Sequence, residues 1–249
     1  MNLSDDEVIL AQKSSLLRGI DHDGIQEILK AAQLRKLNAG SYFFVEDDPA
    51  VSGYLLLDGK VKLTQVTIDG QQVILGYLPP GRVYGIIAIL KKVTYPVSSQ
   101  AVSDCKALAW DQKTLNQIMR RYPQIAVNSL NIMAGQIREF QNRVRDLSTK
   151  RVETRIARAV LRLANQTGKK VTDGILIDLP LSRQDLAEMT GTTLYTVSRI
   201  LHDWGEKGII RSKRQQIVIL YPHGLVSIAE DLPENRDEVK IQGDDLCDI

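Results

Sequence analysis

Residues 181–200, LSRQDLAEMTGTTLYTVSRI, hold the side chains best placed to act on another molecule. Leu194, Tyr195, Ser198 and Arg199 fall on one face of a short helix, because residues three and four apart line up on the same side. An arginine fork among hydroxyls can pair both acceptors of a guanine edge, so this face suits the major groove of double-stranded DNA. The rest of the segment supplies the holder. Leu181, Leu186, Ala187 and Met189 give a preceding helix its apolar face. Ser182 can cap that helix, and Asp185 favours the positive end of its dipole. Gly191 marks a turn that needs a positive φ. The second helix opens at Thr192 or Thr193 and buries Val197, Ile200 and Leu201. Two short helices around a tight turn predict a helix-turn-helix, hence a reader of a DNA operator and not an enzyme.

Composition agrees with that reading. The net charge of +2 hides an asymmetry. From Glu230 to Ile249 there are eight acidic and two basic residues, so the preceding 229 residues carry a net +8. A mildly basic body suits phosphate contact, and an acidic tail of this composition predicts a solvated, disordered segment. Cys105 and Cys247 are too few and too far apart for a metal framework, and the expected compartment is the reducing cytoplasm. The N-terminus MNLSDDEVILAQ lacks a basic segment followed by an apolar one, so no signal peptide is expected. No apolar run approaches the roughly 18 residues that span a bilayer, so no membrane partner is expected.

Elements that could position the helix-turn-helix follow along the chain. Residues 4–37 predict helix, with Ile20, Ile25, Ile28, Leu29 and Leu34 at helical spacing around a break at 19–23. From Gly40 to about Trp110 short strands alternate with turns at Asp58-Gly59, Asp69-Gly70 and Pro79-Pro80-Gly81, which predicts a β-roll or jelly roll. One short helix is expected at 86–92. From Thr114 to about Thr149 the period is helical, and Ala126, Leu130, Met133, Ile137, Phe140, Val144 and Leu147 step by alternating fours and threes. That is an a/d seam for a two-helix homodimer, or else a helix packing on its own roll. A further helix at 151–165, a strand at ILIDL and a two-stranded wing in IIRSKRQQIVILY complete the pattern, with Lys213 and Arg214 at the wing tip. The expected units are residues 1–113, 114–149, 150–229 and the tail 230–249. The fold class is α+β.

This order, with Gly59, Gly70, Gly81 and LSRQDLAEMTGTTLYTVSRIL, resembles the Crp/Fnr family of bacterial transcription regulators over roughly residues 15–225. The resemblance implies a cyclic-nucleotide-binding-like β-roll (a double-stranded β-helix) that senses an effector, a dimerisation helix, and a winged helix-turn-helix. It implies a homodimer on a near-palindromic operator, with RNA polymerase as a further partner. Ser182, Arg183 and Gln184 match the family's phosphate-contacting positions. Thr192, Thr193 and Thr196 match small polar positions near the backbone, and Arg199 matches the guanine-reading arginine. Leu194 and Tyr195 depart from the pattern. Tyr195 stands where the family has a glutamate that accepts from cytosine, so part of the half-site should differ.

The same comparison places an effector pocket at Tyr84, Ile86, Tyr95 and Pro96. Family members that sense cyclic AMP need a glutamate where Ile86 stands and an arginine where Tyr95 or Pro96 stands. Without that arginine a buried cyclic phosphate would be an unpaired charge. The iron–sulfur branch needs clustered N-terminal cysteines, and residues 1–35 contain none. The aliphatic stretch after Ile86 is similar to the nitric-oxide-responsive branch, some of whose members bind haem. Candidate axial ligands here are His22, Cys105, Met119, Met133 and Tyr95. A small organic acid held by Arg138 is another option, and an effector-free regulator a third. An enzyme on a cupin-like roll is disfavoured, since 40–110 contains no histidine.

Overall fold

The computed structural model describes residues 3–86 and 93–232. The short helix expected at 86–92 and the acidic tail from 233 onward lie outside the described residues, except that Ile86 is described.

The chain opens with α1 (Asp5–Gln12), closed by a reciprocal capping box between Ser4 and Glu7, and α2 (His22–Lys30), capped by Asp21. The helical expectation fails after Lys30. Gln33–Leu37 is strand β1, antiparallel to β8 (Cys105–Asp111), with Leu34 opposite Leu108. Leu34 sits in step with the helical residues by coincidence; strand pairing with β8 overrides so short a local pattern.

The roll continues through β2 (Tyr42–Phe44), β3 (Ser52–Asp58), β4 (Val61–Val66), β5 (Gln72–Leu78), β6 (Val83–Tyr84) and β7 (Ser98–Ala101). They form two sheets, β1-β8-β3-β6 and β2-β7-β4-β5. Strand β3 is buried on both faces. Leu55 and Leu57 pack with Leu108, Trp110 and the helices, while Tyr54 and Leu56 point into the roll with Phe44, Tyr84 and Tyr95. The period of two thus divides one strand between two cores. Gly59 turns β3 into β4 at φ +84°, and a Cβ there would lie 2.2 Å from the Asp104 carbonyl oxygen, so only glycine fits.

The single helix expected over Thr114–Thr149 is two, α3 (Gln112–Arg121) and α4 (Gln124–Thr149). Pro123 has no N–H and pushes Tyr122 out of the helical region, to φ −125° and ψ 78°. The 26 residues of α4 make a rod of roughly 39 Å.

The C-terminal part contains α5 (Val152–Thr167), the hairpin β9 (Gly168–Val171) and β10 (Gly174–Ile177), α6 (Arg183–Thr190), α7 (Leu194–Glu206), the wing β11 (Ile210–Lys213) and β12 (Gln216–Ile219), and α8 (Pro222–Glu230). The four strands form one sheet in the order β11-β12-β10-β9. Trp204, fully buried, donates its indole N–H to Glu153 at 2.9 Å. Glu230, assigned from sequence to the tail, instead ends α8 and reaches Arg158 at 3.3 Å. An ion pair back onto α5 carries the ordered chain past the start of the acidic run.

This part docks on the roll. Ile74 and Tyr77 of β5 belong to the same apolar cluster as Leu186, Val197 and Trp204. Lys60 meets Asp178 at 2.6 Å, Lys62 meets Asp185 at 3.7 Å, and Gln72 donates to Glu188 at 2.9 Å.

Hydrogen bonds from Lys169 and Lys60 hold the Asp178 carboxyl below the usual carboxylate range. With a depressed value in the folded state, the bridge contributes at neutral pH and is lost as pH falls through that value. Lys60→Met is expected to cost about 0.5 kcal/mol near neutrality, as fits a partly exposed pair. The gap from wild type should shrink in acid. Urea unfolding at about pH 7 and about pH 3 checks this; an undiminished gap in acid refutes it.

Candidate nucleic-acid interface and sensor cavity

Local chemistry builds α6. The Ser182 hydroxyl accepts from the Asp185 backbone N–H at 3.0 Å, and the Asp185 carboxylate accepts from the Ser182 backbone N–H at 2.8 Å. The Ser182 hydroxyl also donates to that carboxylate at 2.6 Å, so the cap already holds its proton. Gly191 ends the helix at φ +61°, in the left-handed region. Thr193 caps α7 by accepting from the Thr196 N–H at 3.2 Å, and the two threonine hydroxyls lie 2.9 Å apart. Thr192 precedes the cap and donates its N–H to the Ala187 carbonyl at 3.1 Å.

Arg155 on α5 was not singled out from the sequence. It donates to the Thr190 carbonyl at 3.1 Å and to the Gly191 carbonyl at 3.3 Å, and so fixes the turn. It lies 35 residues away along the chain, and nothing in its neighbourhood marks it.

With Val197, Ile200 and Leu201 buried, the opposite face of α7 is open. Tyr195 is 78% exposed and Leu194 48% exposed. Arg199 is exposed, Thr196 and Ser198 are half-buried, and Arg183 and Gln184 are exposed at the start of α6. Lys213 ends β11 and Arg214 begins the wing turn, both exposed. Helices α6 and α7 and the wing surround a common core.

The second feature is a cavity of about 530 Å³ between the roll and α4. Tyr84, Ile86, Tyr95 and Pro96 all line it. Tyr95 is held by the protein itself. Its ring stacks on Phe44 at 3.8 Å, and its hydroxyl donates to the Ser52 carbonyl at 2.6 Å while accepting from the Ser52 N–H at 2.9 Å. Met133, Ile137 and Phe140 of the expected seam form the α4 wall. Arg138 does not reach the cavity and is exposed on α4. The α4 arginine at the cavity is Arg143, which pairs with Glu139 at 2.8 Å and donates to the Leu75 carbonyl. A step of five residues turns the side chain from one face of the helix to another.

Of the candidate axial ligands for a haem, only Met133 faces the cavity uncommitted. His22 is exposed at the first position of α2, and Cys105 and Met119 are not among the lining residues. Met133 and Tyr95 do line the cavity, but the Tyr95 hydroxyl is committed to the Ser52 backbone. Among the described residues no group of three or more His, Cys, Asp or Glu could hold a metal ion.

Residues 34–122 match the cyclic nucleotide-binding domain, and residues 154–228 match the Crp-like helix-turn-helix domain. The cyclic AMP receptor protein of Thermus thermophilus is 30% identical over 198 residues, covering 80% of this chain and 88% of that one. The chain belongs to the Crp/Fnr family of transcription regulators. Another Crp/Fnr relative, the CRP-like cAMP-activated global transcriptional regulator of Mycobacterium tuberculosis, is 24% identical over 214 residues, 86% of this chain and 95% of the relative. The structure of FixK2 from Bradyrhizobium japonicum superposes with a TM-score of 0.70 at 25% identity, over 79% of this chain and 96% of that one. As a Crp/Fnr protein the chain is a DNA-binding transcription regulator and not an enzyme. Among the described residues no helix is long and apolar enough to cross a membrane.

Thr193→Ala should remove the cap of α7 and lower the unfolding free energy by about 1 kcal/mol. Urea unfolding measures it, and Thr193→Ser should restore most of the loss.

Proposed function

We propose that two copies pair along α4 and present their α7 helices to successive major grooves of a near-palindromic operator. One observation carries this reading. Leu130, Ile137, Phe140, Val144 and Leu147 are 49–62% exposed on a single chain, although all are large and apolar. Ala126 and Met133 are half-buried on the same stripe. A regular apolar stripe left open to water calls for a partner helix, and a second copy offers the matching stripe. The two-fold axis of such a pair would set two half-sites about 34 Å apart.

In that arrangement Ser182, Arg183 and Gln184 approach phosphates through the N-terminus of α6, and Lys213 and Arg214 approach them from the wing. Thr192, Thr193 and Thr196 pass near the backbone, and Ser198 and Arg199 face base edges. Leu194 and Tyr195 offer apolar surface that suits a thymine methyl. The reader works in the cytoplasm, and RNA polymerase is the partner through which it acts.

The cavity between roll and α4 receives the effector. Its walls include seam residues Met133, Ile137 and Phe140, so occupancy bears directly on how the helices pair. Several relatives are named for cyclic AMP. Here Ile86 is 4% exposed, Tyr95 is 1% exposed, and neither can meet a ribose hydroxyl or a cyclic phosphate as the ionic pair does. Cyclic AMP is therefore not the effector by the usual contacts.

Selection from random DNA tests the reading. Wild type should recover symmetric half-sites. Arg199→Ala should lose roughly 1–3 kcal/mol of affinity and its preference for guanine. Tyr195→Glu should change one base pair per half-site from A·T to C·G. Asymmetric or unselected sequences would overturn the proposal. Ile137→Asp should leave a folded monomer in sedimentation at micromolar concentration, whereas an unchanged dimer would place the interface elsewhere.

A further inference from the structure

We propose that the cavity binds a small apolar molecule carrying a single carboxylate, with the carboxylate at Arg82 and the apolar body against α4. This rests on reading the roll as the sensor half of the regulator, and it adds the chemical class of what is sensed.

Arg82 stands directly before β6 and lines the cavity. The Leu56 N–H of β3 donates to its carbonyl at 3.0 Å, so the roll holds the backbone at this point. Tyr84 follows two residues later, and the period of two turns both side chains to the inner side of the roll. Arg82 is exposed, and its guanidinium meets no hydrogen-bond or ion-pair partner among the described residues. The other charges of the lining are matched. Glu139 accepts from Arg143 at 2.8 Å, and Arg143 also donates to the Leu75 carbonyl. Two cations thus face one anion among the described lining residues, and the unmatched charge is that of Arg82. A carboxylate restores the balance, because the planar guanidinium offers it two parallel hydrogen bonds.

The wall selects the remainder of the molecule. Leu63, Leu78 and Val83 from the roll line the space together with Ile132, Met133 and Phe140 from α4. Three of the neutral polar groups in the lining are already bonded within the protein. Gln65 donates to the Pro96 carbonyl at 2.9 Å, the Ser129 hydroxyl to the Ile125 carbonyl at 2.8 Å, and the Tyr95 hydroxyl to the Ser52 carbonyl at 2.6 Å. The hydroxyls of a ribose, or a second ionised group, would therefore lose water without gaining partners, whereas an apolar body gains from the same wall. A volume of about 530 Å³ admits two fused rings with a short substituent.

The probe is 2-naphthoate, with 2-naphthamide as its neutral match in shape. In titration calorimetry the full chain should bind 2-naphthoate saturably, about ten-fold more tightly than 2-naphthamide, and cyclic AMP should not displace it. Arg82→Gln should weaken 2-naphthoate about ten-fold and leave 2-naphthamide unchanged, and Arg82→Lys should recover part of the loss. Without probe, Arg82→Gln should unfold in urea at the wild-type midpoint, since the side chain has no protein partner to lose. Leu63→Trp fills the cavity from β4 and should abolish binding of both compounds. No saturable binding, equal affinity for acid and amide, undiminished binding or a lowered midpoint in Arg82→Gln, persistence in Leu63→Trp, or displacement by cyclic AMP would each overturn the proposal. Operator binding is measured on the same preparations. If wild type selects its operator and ignores 2-naphthoate, only the ligand class fails; if it selects no operator, the regulator reading fails.

Discussion

Helix α4 is tied at each end by a buried polar group, and the arrangement of everything else follows from those two ties. Near its start, the buried Asn128 amide donates to the Leu16 and Arg18 carbonyls at 2.8 Å each. Near its end, Asp146 is 7% exposed and meets Arg158 at 2.6 Å and Arg162 at 3.9 Å, both on α5. A buried amide or carboxylate without partners is costly, so neither end can slide along its neighbour without exposing an unpaired group. The helix is therefore a strut. It joins the N-terminal helices to the DNA-binding part, and the long stretch between the ties is free to offer its apolar stripe outward.

How much of this could be read from the residues depends on the range over which each signal acts. The helix-turn-helix was legible because its determinants are local. Ser182, Asp185, Gly191 and Thr193 each act within a few residues, and the structure uses them as caps and turn. The apolar stripe of α4 was legible from its period. Strand β1 was not, because five residues with Leu34 in helical step carry too little pattern, and the pairing that makes them a strand lies some seventy residues on. Strand β9 escaped notice because GKKV is exposed throughout and has no alternation. Pro123 was in plain view, but the helical period on either side obscured the break. Arg155 and Asp146 act through partners that no spacing rule connects.

The cavity lies on the scaffold that the chain shares with its family. The roll matches the cyclic nucleotide-binding domain over 34–122, and its glycine turns and paired sheets are intact. Of the cavity-lining residues, Ile86 packs in the aliphatic cluster with Leu55 and Val83, and Tyr95 stacks on Phe44. The scaffold and the lining of its pocket are set by different residues. The seam residues Met133, Ile137 and Phe140 belong to both the cavity wall and the exposed stripe, so a single set of side chains meets two environments.

Leu147 occupies a similar double position. It ends the apolar stripe of α4, and its Cδ2 lies 3.3 Å from where a side chain on Gly191 would begin. The turn of the helix-turn-helix thus leans on the last residue of the strut. A larger residue at Gly191 would strain the turn and also press on the end of the stripe. Suppressors of such an allele should arise at Leu147, where a smaller side chain restores the space.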